Sequence, residues 1–114
     1  MIYVVRCKPG VLFTVIAPGG FELLSAIALT AKQIGHDLTI TSACDGSHSG
    51  PDDPHHRGEA YDIRTHDLLP PLTPQHALET LIVQLGPRFY AFLEDPDSDN
   101  EHIHCQVARN TVYP

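Results

Sequence analysis

Residues 102–107, HIHCQV, alternate without a break: His102, His104 and Gln106 fall on one side of an extended chain, Ile103, Cys105 and Val107 on the other. Such a strand needs a sheet with one face packed on a core and the other left polar. The segment AYDIR, residues 60–64, repeats the pattern, with Ala60, Asp62 and Arg64 on one side and Tyr61 and Ile63 opposite. A chain with two such strands is bound to cover one sheet face with other elements.

Two helical segments are available for that face. FELLSAIALTAKQIGHD follows the break APGG at 17–20 and carries Leu24, Ile27, Ala28, Ala31 and Ile34 at helical spacing, with Gly35 as its stop. TPQHALETLIVQLG has Thr73 as N-cap, Pro74 in the first turn, Ala77, Leu78, Leu81, Ile82 and Leu85 along one face, and Gly86 at the end. Further strands are expected over residues 1–10, over LTITSA at 38–43, whose Leu38, Ile40 and Ala43 face inward, and over RFYAFLED. The acidic turn PDSDNE joins the last of these to HIHCQV. The order predicts an α+β fold, a mostly antiparallel sheet ending in a hairpin, with two main helices packed on one face. At 114 residues one core suffices, so residues 1–114 form a single domain, expected to be a monomer.

Charge narrows the partners. A formal net charge of -7 leaves no basic cluster to neutralise phosphates, so no nucleic acid is expected. No apolar run reaches the length of a membrane span, and residues 1–25 lack the layout of a secretory signal. A cytoplasmic protein is expected, or a released or virion-associated one if a phage encodes it. The three cysteines, odd in number and far apart, form no complete disulfide framework.

What asks for chemistry is histidine. There are 8, with His48, His55, His56 and His66 close together and His102 and His104 near the C-terminus. The loop CDGSHSGPDDPHHRG, long for so small a chain, holds three of them. If the faces of Asp62 and His104 lie on neighbouring strands, the two converge, and a histidine from that loop completes a three-ligand site with an open fourth position, the layout of a catalytic zinc. Glu101, three residues before His104, is placed in sequence to take a proton from water held there. A calcium reading of residues 95–106 has Asp95, Asp97 and Asp99 in its favour, but Asn100 stands where glycine is needed and Gln106 where the bidentate glutamate belongs.

The motif H-x-x-G-x-A-x-D, here His55, Gly58, Ala60 and Asp62, followed much later by E-x-x-H, here Glu101 and His104, resembles the zinc peptidases that include D-alanyl-D-alanine carboxypeptidases, D-alanyl-D-alanine dipeptidases and phage L-alanyl-D-glutamate endolysins. The resemblance covers roughly residues 22–108 and implies the antiparallel sheet with helices that this family shares with the hedgehog signalling domain. It implies His55, Asp62 and His104 as zinc ligands, a zinc-held water as nucleophile, Glu101 as general base, and short peptidoglycan-type peptides containing D-amino acids as substrates. His56 is the alternative first ligand. The chain departs from the family after LTITSA, where ACDGSH lacks the arginine that polarises the scissile carbonyl; Arg64, His48 and His102 are the candidates to replace it. Asp53 stands where the family has a serine, and can support a ligand histidine. Two other readings differ in class: a non-catalytic, zinc-stabilised wall-binding or interaction domain, and an interaction domain without metal.

Overall fold

A computed structural model of the chain describes residues 2–48, 50 and 52–108. The elements run β1 (Val5–Cys7), α1 (Pro18–Ile34), β2 (Leu38–Ser42), β3 (Ala60–Arg64), α2 (Pro74–Leu85), β4 (Phe89–Glu94) and β5 (His102–Val107). The expected strand over residues 1–10 narrows to β1, and its first residue lies outside the described ones, as do loop residues 49 and 51. The fold is α+β, with a five-stranded sheet in the order β1-β2-β3-β5-β4.

That sheet is mixed. The β2–β3, β3–β5 and β5–β4 pairs are antiparallel, and β4–β5 is the expected hairpin, but β1 pairs parallel to β2. The reason is α1, which carries the chain back across the sheet between them, the crossover that parallel neighbours require.

Both helices contribute to one core with one sheet face. Leu23, Ile27 and Ala31 of α1 and Ala77, Leu78 and Leu81 of α2 meet Ile40, Tyr61, Ile63, Ile103, Cys105 and Val107. The buried stripes differ a little from the expected ones. In α1 they run through Leu23, Ala26 and Thr30, with Ala28 exposed, and in α2 Ile82 turns outward. Each segment has more apolar residues than one face accommodates, so the packing partner selects the stripe. Thr30 is tolerated inside because its hydroxyl donates to the Ala26 carbonyl at 2.8 Å.

Helix α1 begins at Pro18, three residues before the sequence signals place it, and takes in Gly19 and Gly20. Proline suits a first turn. Gly20 is a matter of space, since a Cβ there would stand 2.1 Å from the Gly58 carbonyl oxygen. At the far end Gly35 closes the helix in the left-handed conformation (φ 68°), donating its N–H to the Ala31 carbonyl. In α2 the Thr73 hydroxyl accepts from the His76 N–H at 3.1 Å, the expected cap. No helix among the described residues is long and apolar enough to cross a membrane.

Candidate metal centre

The polar face of the sheet is built by register. Asp62 pairs with His104, Ala60 with Gln106 and Arg64 with His102 across β3 and β5, and Ser42 of β2 sits beside Asp62. The third histidine arrives from the loop that precedes β3. Gly58 makes this possible: its φ is +71°, and a Cβ would lie 2.3 Å from the Val15 carbonyl oxygen. The loop is thus pressed against the chain leading into α1, and the Ala17 N–H donates to the Gly58 carbonyl. Asp53 caps the turn by accepting the His55 N–H at 2.9 Å.

Three ligand atoms converge there. His55 Nε2 lies 3.3 Å and His104 Nδ1 2.9 Å from the same oxygen, Asp62 Oδ1. His55, Asp62 and His104 form a group that can hold a metal ion. Both rings are nearly inaccessible, His55 at 3% and His104 at 8% exposure, so their polar atoms need partners from within the protein.

The outer nitrogens determine what the inner ones present. His55 Nδ1 is 2.9 Å from the Ala43 carbonyl oxygen, which only accepts, so Nδ1 carries a hydrogen and a neutral ring turns the Nε2 lone pair toward Asp62. His104 Nε2 is 2.8 Å from Gln106 Oε1. The Gln106 amide is itself oriented, because its NH2 donates to the Val107 carbonyl at 3.2 Å, so His104 Nε2 donates and Nδ1 faces Asp62. Two imidazole lone pairs therefore point at a carboxylate oxygen. Only a cation, proton or metal, makes that arrangement favourable.

The charges respond accordingly. Burial opposes ionisation of Asp62, yet once the inner ring nitrogens carry a proton their hydrogen bonds, from His104 and His55, outweigh it and hold its carboxyl well below the usual range. For His104 burial works against the charged ring, but Asp62 and Gln106 prevail and move its pKa up. On the opposite face, burial pushes the Cys105 thiol up to about 12, so it packs as a small apolar group, as its alternation predicts.

The other residues singled out in the sequence fall around this group. His56 faces away, its Nδ1 2.8 Å from the Gly50 carbonyl oxygen and its Nε2 2.8 Å from that of Gly46, so it staples the loop. His48 stacks on His55 with ring centroids 3.9 Å apart and reaches Ser42 Oγ at 3.1 Å. His48, Asp53 and His55 make a second geometric grouping that shares one histidine with the first. His102 Nδ1 donates to the Asn100 carbonyl at 2.7 Å, with Nε2 3.7 Å from Asp62 Oδ2.

Glu101 is not gathered into either ligand grouping. Its Oε1 accepts from the Thr65 hydroxyl at 2.6 Å and its Oε2 from the Asp97 N–H at 2.8 Å, contacts that hold its carboxyl below the ordinary value. It still shares with Lys8, Ser42, Asp62, Arg64 and His102 the walls of a cleft of about 300 Å³. The Arg64 guanidinium has no hydrogen-bond or ion-pair partner among the described residues.

Two residues carried no role in the sequence. Gln106 shares the histidine face, but its part in fixing His104 follows only from the amide geometry. Glu94 lies opposite His102 on β4, its Oε1 3.5 Å from His102 Nε2 and 4.0 Å from His104 Nδ1. The alternation Tyr90, Phe92, Glu94 was there to be seen; the register against β5 was not.

No protein-family model, curated protein or solved structure matches the chain. The likeness to the zinc peptidases rests on the two motifs.

Proposed function

We propose that the chain is a zinc-dependent peptidase acting on short peptides of the peptidoglycan type, those containing D-amino acids. The observation that carries the reading is the convergence of His55 Nε2 and His104 Nδ1 on Asp62 Oδ1 at 3.3 and 2.9 Å. Metal–ligand bonds of 2.0–2.1 Å in a tetrahedron separate neighbouring ligand atoms by about 3.3–3.4 Å, close to that spacing. Two imidazoles and a carboxylate suit zinc, and three protein ligands leave the open position of a catalytic site. Zinc, when bound, supplies Lewis acidity toward a carbonyl and lowers the pKa of water.

The chain's own groups do the rest. Glu101, held ionised by Thr65 and Asp97, is in the form that accepts a proton and later returns it to the leaving amine. Arg64 and His102 line the same cleft and are the groups at hand to face the oxyanion in place of the missing arginine. A cleft of about 300 Å³ suits a short peptide.

One observation favours a second reading, a zinc-stabilised domain without catalysis: both Glu101 oxygens are occupied by partners of their own. The experiment that separates the two readings measures zinc content and hydrolysis of D-alanyl-D-alanine and L-alanyl-D-glutamyl peptides, for the wild type, H104A and E101Q. The peptidase reading expects one zinc in the wild type, its loss in H104A, and a full complement in E101Q with turnover reduced by about 100-fold or more. A wild type that holds zinc but cleaves none of a broad panel of wall peptides establishes the second reading. A wild type without zinc overturns both.

A further inference from the structure

We infer that Glu94 is the second carboxylate of the metal centre and sets its affinity for a divalent cation; this rests on the metal-binding part of the reading above. Asp62 brings one negative charge to a pair of buried neutral imidazoles. A dication held by those three alone leaves a net positive charge in a site whose histidines are 3% and 8% exposed, and unbalanced buried charge is costly. A second carboxylate within reach brings the centre to neutrality.

Glu94 lies outside the three-residue ligand grouping but on the same face and beside one of its atoms. In the β4–β5 register it stands opposite His102 while Phe92 stands opposite His104, which puts its side chain on the ligand face. Its Oε1 is 4.0 Å from His104 Nδ1, the nitrogen turned toward Asp62, and 3.5 Å from His102 Nε2. His102 Nε2 in turn is 3.7 Å from Asp62 Oδ2, so this ring sits between the two carboxylates and is kept there by the Asn100 carbonyl. Strand β4 is an edge strand of the sheet and the Glu94 side chain is 45% exposed, so the carboxylate has room to turn toward an arriving ion. Among the described residues its ion pairs are with these two histidines alone, whereas Glu101 is tied to Thr65 and Asp97.

The test is a zinc titration in competition with a chromophoric chelator, at fixed pH and salt, on the wild type, E94Q, E94D and E101Q. E94Q keeps the shape and loses the charge, and its zinc dissociation constant should rise by about tenfold or more, within the 10–100-fold span found for partners of metal ligands. E94D keeps the charge and should bind more tightly than E94Q, while E101Q should bind as the wild type does. Metal-free E94Q should melt with metal-free wild type, which makes the loss one of binding. Equal affinity in E94Q and wild type overturns the inference, as does an E94D no better than E94Q. A wild type that takes up no zinc fails differently: it removes the metal centre itself.

Discussion

His55 and His104 each donate one ring N–H outward, to the Ala43 carbonyl and the Gln106 amide oxygen, and this alone determines that their other nitrogens face Asp62. A partner of this kind orients a ligand ring and raises its basicity, so its removal is felt at the metal. Gln106→Leu takes away the acceptor while leaving a side chain of similar size. Its zinc affinity should fall by about 10- to 100-fold, read by chelator competition. His56→Ala should still hold one zinc per chain, with at most the modest loss of affinity a loosened loop brings, because both nitrogens of that ring are engaged by the Gly50 and Gly46 carbonyls. A variant of His56 that loses its zinc would reassign the first ligand.

Among the elements, the loop between β2 and β3 has to be fixed at both ends for His55 to stay in place. Gly58 fixes one end; Asp45 fixes the other, where a single oxygen accepts from the Ala43 N–H at 2.9 Å and from the Leu12 N–H at 3.1 Å. Burial opposes the Asp45 charge, but those two amides outweigh it and hold the carboxyl below its ordinary value. A depressed folded-state pKa stabilises the fold above the unfolded carboxylate value, about 3.9, and the contribution disappears as pH falls through the folded value. Asp45→Asn should therefore lower the melting temperature at neutral pH, and the gap to wild type should close as pH falls below the ordinary carboxylate range. A gap that stays constant with pH would mean that the charge is not what secures the loop.

Over the whole molecule, the core and the metal centre are opposite faces of the same strands. Ile103 and Cys105 are packed under the helices while His102 and His104, their immediate neighbours in β5, stand on the other side. The helix layer and the ligand loop also touch at one point, where Gly58 lies on residues 15–16 and its carbonyl oxygen on Gly20. Gly58→Ala sets a methyl group against the Val15 backbone in a conformation that L residues rarely adopt. It should cost about 3 kcal/mol or more and weaken zinc binding at the same time, measured by denaturant melts and titration of one preparation. A stable Gly58→Ala that binds zinc normally would show that the contact does not position His55.

Several features were decided by local physics and were legible without a structure. Alternation in residues 60–64 and 102–107 sorts each side chain to the core or the polar face, because the strand period is two whatever the neighbours are. Thr73, Gly35 and Gly86 mark helix ends through their own backbone chemistry. Other features depend on which segments meet, and no single segment encodes that. The parallel placement of β1, the burial of Leu23 in place of Ala28, and the reading of APGG as the start of a helix were settled by packing across the sheet. So was the acidic neighbourhood of His104: Glu101 is close in sequence but turns to Thr65 and Asp97, while Glu94 is far in sequence and lies beside the histidines, because strand register, and not chain distance, decides which side chains share a face.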